Sequence, residues 1–415
     1  SAQEIGYMKD PAIGAIPDLN GDYKYYYDNN PLENVTRQNS AVSNFNISAR
    51  GGNLDHQYLL SLGTFARQGL FNTGPDNTNR NNAQLNINNR FSDMISLETS
   101  LQYARSHTQS PGYRVDGYNG LLNYLYQAPG YLPTYVPNTS NYTAGYNPIS
   151  LLEDGGKRDE QTSFADATFS LKAENPVKGL TLKAVYSPQI THYYDGLGKQ
   201  TISYYNGHGY VNSINDPNSL KRGDMLEVQH SLQLLADYDI PAGKLNTIHI
   251  LGGYAYESHY QRQKISSRYN VSENEIANVA FNDPLVADIR WFKASGSQGS
   301  MFARLNYNFS DRYLLEANVV AARLFYNSSE AGSITRQHIF PSFSGGWRLN
   351  NEKWFGRTFR FFDEFKLRAS WGLLGNFNWR AGLNDYNYRD QLKSPQTYPL
   401  LNEDYSDRYM PGNNN

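Results

Sequence analysis

Cysteine is absent from the 415 residues. That removes any disulfide frame, thiolate metal site or cysteine nucleophile, and leaves no bridge from which to read a redox compartment. Long hydrophobic runs are absent as well. No stretch of 18 apolar residues occurs, which excludes a helical membrane span and leaves open the weaker alternating signal of a barrel strand. Charge is scarce, at 18% of residues, below the roughly 25% of an ordinary globular chain. The formal net charge of −2 gives no electrostatic case for a nucleic-acid partner. The opening Ser1-Ala2-Gln3-Glu4 has neither a basic n-region nor an apolar h-region, so any signal peptide is expected to have been removed or to lie outside this chain. No HExxH, Walker or GxSxG pattern is found, no DxDxDG calcium loop occurs, and the eight histidines are not at metal-ligand spacing. Catalytic chemistry, a cofactor and a resident metal are therefore not expected.

What fills the chain instead is neutral polar and aromatic. Aromatics reach 14%, with 34 Tyr and 19 Phe, beside abundant Asn, Ser and Gly. Apolar and polar residues alternate with period 2 along much of the sequence, the pattern of strands with one face in an apolar medium. In 301–309, Met301, Ala303, Leu305, Tyr307 and Phe309 share one face, and Arg304, Asn306 and Asn308 share the other. Segments 163–173 and 364–371 repeat the pattern, with Phe169 and Leu171 opposite Lys172, and Leu367 and Trp371 opposite Lys366 and Arg368. The reading predicts about twelve strands: 42–50, 55–66, 81–91, 94–105, 162–173, 180–191, 226–238, 245–258, 299–309, 312–322, 338–349 and 363–372. Many are longer than the ~5–6 residues usual in soluble sheets and match the ~9–11 that a tilted membrane strand needs.

Connection lengths carry the strongest argument. Short ones (51–54, 92–93, 174–179, 239–244, 310–311 and the somewhat longer 350–362) alternate with long ones (67–80, 106–161, 192–225, 259–298 and 323–337). Outer-membrane barrels combine short periplasmic turns with long extracellular loops in this way. The expected fold class is all-β, an antiparallel transmembrane β-barrel in the Gram-negative outer membrane. Residues 1–41 and 373–415 then both fall on the extracellular side, and an internal stretch of a larger barrel is expected, because open barrel edges in lipid strand unpaired backbone groups. Leu97, Leu101, Tyr103, Tyr313, Leu315 and Val319 should face lipid, and Glu98, Gln102, Arg304, Asn306 and Glu316 should line a polar lumen. Leu121–Gln127 is expected as a short helix within a loop.

In order along the chain, several phrases resemble the SusC/RagA-type TonB-dependent outer-membrane transporters. They are Phe45-Asn46-Ile47-Ser48 with Gly51-Gly52 and Tyr58-Leu59-Leu60-Ser61-Leu62-Gly63; Arg304-Leu305-Asn306-Tyr307 with Asp311 to Asn318; Phe340-Pro341-Ser342 with Gly345-Gly346-Trp347-Arg348; and Leu367 to Gly372 with Gly375-Asn376. Together they cover most of 42–376. Arg323-Leu324-Phe325-Tyr326 departs from the family's usual Asp-Gly-Ser-Ser-Arg-Phe-like stretch, which bears on loop detail and substrate. The resemblance implies a barrel of about 22 strands in the full protein, of which this chain supplies part of one barrel domain. It also implies a plug domain and closing strands not found in this chain. TonB would be engaged through segments absent here, a SusD-like surface lipoprotein would be the partner, and the implied function is nutrient uptake of oligosaccharide or peptide ligands. A passive porin and a surface adhesin or lectin remain alternatives from other classes. As ligand or lid contacts the sequence offers loop aromatics, chiefly Tyr124, Tyr126, Tyr131, Tyr135, Tyr204 and Trp291, and also Tyr193, Tyr194 and Tyr205. Their rings can stack on sugars or peptides while the polar tips hydrogen-bond, and packing of the loops against one another is the competing role.

Overall fold

A computed structural model describes residues 14–113, 120–145, 147–243, 245–271, 288–328, 332–358 and 364–375. Two short strands, β1 (Ala15–Pro17) and β2 (Tyr23–Tyr25), and the helix α1 (Pro31–Val35) precede the main sheet. Then come β3 (Val42–Gly52), β4 (His56–Gln68), β5 (Asn77–Arg90), β6 (Ile95–Pro111), α2 (Leu121–Gln127), β7 (Tyr142–Thr143), α3 (Pro148–Glu153), β8 (Lys157–Glu174) and β9 (Leu180–Lys199). The chain continues with β10 (Ile202–Asn206), β11 (Gly209–Ile214), β12 (Ser219–Pro241), β13 (Asn246–Tyr269), β14 (Asp288–Phe309), β15 (Tyr313–Ser328), β16 (Gly332–Arg348), a 3-10 turn Leu349–Asn351, α4 (Lys353–Thr358) and β17 (Lys366–Gly372).

Among the described residues, twelve of these strands form one antiparallel meander from β3 to β17 in sequence order, while β1 and β2 pair with each other and β7, β10 and β11 form a small sheet of their own. Every strand expected from the alternation is present. The register shows why one face suits lipid. Ile47, Leu62, Ala83, Tyr103, Ala165, Ile190, Val228 and Tyr260 lie side by side across the sheet. One residue further along, on the opposite face, the row reads Ser48, Ser61, Gln84, Gln102, Asp166, Gln189, Gln229 and His259. Successive side chains point to opposite faces, so the two rows separate an apolar outside from a hydrogen-bonding inside. The same register pairs Leu305 with Ile250 and Ala317 outside, and Asn306 with His249 and Glu316 inside. Large apolar side chains such as Ile47, Leu62, Leu101, Leu305, Val319 and Phe343 stay exposed on the outer face, an area far beyond what a soluble surface carries.

Tight turns close the short-connection end. At β14–β15, Ser310 and Asp311 both take positive φ, 54° and 55°, and the Arg312 amide donates to the Phe309 carbonyl at 2.9 Å, so three residues reverse the chain. The Asn308 side chain holds that turn by accepting from the Asp311 amide at 3.1 Å and donating to its carboxylate at 2.8 Å. At β3–β4, Gly52 sits at φ +130°, where a Cβ would lie 1.9 Å from the His56 carbonyl oxygen, so only glycine fits.

At the other end the structure corrects several expected connections. The described residues of 323–337 are strand and not loop, because β15 runs to Ser328 and β16 begins at Gly332. Much of 192–225 and 259–298 is also strand: β9 reaches Lys199, β12 starts at Ser219, β13 reaches Tyr269 and β14 starts at Asp288. A 24-residue strand exceeds the ~9–11 residues needed for lipid by more than a dozen. The surplus rises as a wall above the apolar band. Apolar–polar alternation fails in the wall: 259–269 reads His-Tyr-Gln-Arg-Gln-Lys-Ile-Ser-Ser-Arg-Tyr, and Gln261, Lys264, Ser266 and Arg268 are buried there.

Candidate functional site

On the long-connection end, loops from four parts of the chain condense into a cap with its own core. Val35, Phe71, Leu121, Leu125, Leu151, Leu152, Ile202 and Tyr204 form one cluster, each no more than 5% exposed. Local chemistry sets the pieces. α1 and α3 each begin with Pro after an Asn cap, whose side chain accepts from the backbone N–H three residues on: Glu33 to Asn30 at 3.4 Å and Ser150 to Asn147 at 3.3 Å. α2 turns Leu121 and Leu125 inward at i, i+4 spacing. α2 occupies the segment expected to be helical, whereas the core around it was not foreseen.

Hydrogen bonds tie the cap to the preceding segment. The Asn29 amide donates to the Gly130 carbonyl at 2.7 Å, the Gly207 amide donates to Asp22 Oδ1 at 2.9 Å, and Arg37 Nε donates to the Phe71 carbonyl at 2.7 Å. Residues 14–37 thus lie against the loops, as the connection lengths implied. The β10–β11 hairpin joins β7 in a small three-stranded sheet.

The candidate aromatics divide. Tyr204 is buried, and its hydroxyl pairs with Ser150 Oγ at 2.9 Å. Tyr124 packs against the cap core. Both take part in packing, the role that competes with ligand or lid contact. Tyr193 and Tyr194 lie in β9, not in a loop, and Tyr193 donates to Glu160 at 3.2 Å. Tyr205 meets Tyr210 edge to face at 5.9 Å. Trp291 belongs to β14 by its backbone, opposite Lys264, and its side chain lies outside the described residues.

Tyr126, Tyr131 and Tyr135 remain on the surface, 76%, 48% and 40% exposed. Tyr135 stacks on Tyr142 with centroids 5.2 Å apart, and both hydroxyls donate to Glu153. Tyr142 also donates to Asp154 at 2.7 Å, and burial together with that carboxylate pushes its pKa well above the usual phenol value. Burial likewise pushes Tyr113 up to about 12, beside Lys199, whose ammonium lies 5.5 Å from the ring centroid.

Below the cap, the inward face of the wall carries a charged group whose Arg158 and Asp195 do not stand out in the sequence. Arg158 forks onto Asp195 at 2.9 and 3.1 Å and reaches Glu160 at 3.0 Å. The signal was parity: Arg158 and Glu160 share the face of Asp166, and Asp195 shares that of Gln189. Deeper, Gln229 donates to Glu227 at 2.7 Å, next to His259. Among the described residues one group has metal-ligand proximity, Asp237, Asp239 and His249, near the short-turn end. There His249 Nδ1 lies 3.1 Å from Asp239 and Nε2 lies 3.3 Å from Asp237. The ring spans the two carboxylates, so their proximity is explained by contacts within the group.

A membrane-spanning antiparallel meander with an apolar outside, a polar inside and a folded cap at one end defines an outer-membrane β-barrel. Comparison with known proteins finds similarity to TonB-dependent receptors. The chain is 23% identical over 397 residues to TonB-dependent receptor P26 of Formosa agariphila, covering 90% of this chain and 37% of that protein. Its fold matches the RagAB peptide transporter with a TM-score of 0.59 at 18% identity, covering 83% of this chain and 38% of the other. The RagAB peptide importer in its open-open state gives 0.61, over 84% and 38%. No family model matches. The resemblance to SusC/RagA-type transporters is borne out, and the chain spans just over a third of the length of these relatives.

Proposed function

We propose that this chain supplies barrel strands and extracellular loops to a TonB-dependent importer that carries glycan or peptide fragments through the outer membrane beneath a SusD-type lipoprotein. The observation that carries the reading is the cap: a loop assembly with its own apolar core, seated on strands that overhang the lipid band. A passive pore needs no such superstructure. A fixed cap above a polar lumen suits capture of a ligand too large to diffuse, followed by transfer along hydrogen-bonding walls. On this reading Tyr126, Tyr131 and the Tyr135–Tyr142 stack offer flat contact surfaces to ligand or lid, and Arg158, Glu160 and Asp195 line the way down. TonB would act through a plug domain and a TonB-contacting segment, and no catalytic role is assigned.

The test replaces 113–155 with a short Gly/Ser linker in the full protein. Growth on the candidate nutrient and co-purification of the lipoprotein are compared with wild type at matched membrane levels. Loss of both with the barrel still heat-modifiable on gels is expected. Unchanged uptake and unchanged lipoprotein binding would overturn the proposal in favour of a passive pore.

A further inference from the structure

Among the described residues, connections at the short-turn end are tight, with one exception. Turns such as 175–179 and 310–312 simply reverse the chain, but after β16 residues 349–358 fold into a 3-10 turn followed by α4. Its position is set by an aromatic ladder. Phe309 stacks on Tyr313 at 6.2 Å, and Tyr313 on Trp347 at 6.2 Å. Register places this ladder on the lipid side: Trp347 pairs with Tyr313 and Leu367, and Tyr313 lies two residues before Leu315 on the same face. Trp354 of α4 continues the ladder 6.5 Å from Trp347. Phe355, 7% exposed, tucks against Phe365 at 5.2 Å, beside Leu349 at 6%. The helix is therefore laid against the outer surface of the barrel at its rim.

Polar groups in this turn are arranged for a boundary. Glu352 accepts from the Tyr313 hydroxyl at 2.9 Å and from Trp347 Nε1 at 3.1 Å, with Arg312 at 3.7 Å. Its charge is thus tied to the rim. Trp354 is 53% exposed despite its ladder contacts, and Lys353 beside it is exposed. An indole kept half open at the end of a lipid-facing aromatic row has an apolar body for acyl chains and an N–H for headgroups. A lysine at this depth reaches phosphate while its stem stays in the interface.

We infer that the Leu349–Thr358 turn is an interfacial anchor that seats Trp354 and Lys353 in the phospholipid headgroup layer on the short-turn side of the membrane. The lipid band then ends on a folded foot, and the occupant of the exposed face of α4 is phospholipid.

Because the chain has no cysteine, single thiols can be placed in it at will. In the full-length protein, with any thiol outside this chain replaced, Trp354→Cys and Lys353→Cys are spin-labelled and reconstituted into phosphatidylethanolamine/phosphatidylglycerol vesicles. Collision with oxygen and with a water-soluble nickel chelate is then compared with two references, Val319→Cys in the apolar band and Val177→Cys in a water-exposed turn. Heat-modifiable mobility confirms assembly. The anchor predicts nickel access at both labels several-fold below that of Val177→Cys, and oxygen access between the two references. Nickel access equal to Val177→Cys at either label overturns it. Should Trp354→Cys fail to assemble, the Lys353→Cys measurement decides alone.

Discussion

Facing is the feature on which the membrane reading depends, and one pair of substitutions tests it. Val319 lies on the outer face of β15, 42% exposed, six residues above the rim residue Tyr313. Six residues at roughly 3.4 Å, tilted by about 40°, lift it about 15 Å, to the middle of a hydrocarbon core about 30 Å thick. Arginine there costs about 2–4 kcal/mol, which is about a 30- to 700-fold shift in the folding equilibrium at about 1.4 kcal/mol per decade. Leu315 is the weaker probe. Two residues from Tyr313, it sits near the interface, where the same charge costs about 0–1 kcal/mol. Asn306→Arg is the control, since Asn306 shares the inward row with His249 and Glu316, and an added charge there meets water and polar groups. Urea titration of folding into vesicles, read by heat-modifiable mobility, should show a large shift for Val319→Arg and little for Asn306→Arg. Equal shifts would refute the assignment of faces.

Other outcomes follow from the cap. Leu152→Ala removes a fully buried side chain and should cost the cap about 2–5 kcal/mol, seen as faster proteolysis within 113–155 while the barrel stays heat-modifiable. Tyr204→Phe loses the Ser150 hydrogen bond and about 1 kcal/mol of cap stability, with ligand and lipoprotein binding unchanged, whereas joint replacement of Tyr126, Tyr131 and Tyr135 by Ala should weaken binding without loosening the cap. Equal loss of binding in both variants would count against the division of the tyrosines. The raised Tyr113 pKa gives a direction with pH: the fold favours the neutral phenol, so its contribution is intact below about pH 10 and is lost as pH rises toward about 12. Cap proteolysis should accelerate across that window, and less so in Tyr113→Phe.

Within lipid the strands were legible because the bilayer imposes a single rule on every outer residue. Met301, Leu305 and Phe309 alternate with Arg304, Asn306 and Asn308 since one face must be apolar and the other need not be. Above the band the rule lapses. Segment 259–269 is polar on both parities, so nothing in it distinguishes a strand from a loop, and its ladder with β12 and β14 is visible only in three dimensions. The cap was hidden for another reason. Val35, Phe71, Leu121, Leu151 and Ile202 are scattered single apolar residues in loop-like sequence, and their core forms by contacts across more than a hundred positions. Loop tyrosines were recognised as a group, but tyrosine has the same composition signal whether its hydroxyl faces Ser150 inside or solvent outside.

The overhang explains how a cap can be rigid without costing the barrel anything. A loop core on flexible tethers would lose much of its packing energy to chain entropy, since ordering each residue costs about 1–2 kcal/mol. Here the tethers are themselves strands. β8 and β9 stay paired up to Lys157 and Gly198, and β12 and β13 up to Ser219 and Tyr269, so the chain enters the cap already ordered by ladder hydrogen bonds. The β10–β11 hairpin leaves β9 after only two residues and carries Ile202 and Tyr204 into the cap core. Motion of the cap as a unit is therefore coupled to bending of the wall, whose inner face holds Arg158, Glu160 and Asp195. Breaking that fork with Arg158→Gln leaves two carboxylates on one face without their guanidinium, and the wall beneath the cap should loosen first. Hydrogen exchange resolved along the chain provides the measurement, and protection should fall in 157–162 and 193–199 before it falls in 163–173. Uniform loss of protection through the lipid band would show that wall and barrel open together, and the cap would then have no independent hinge.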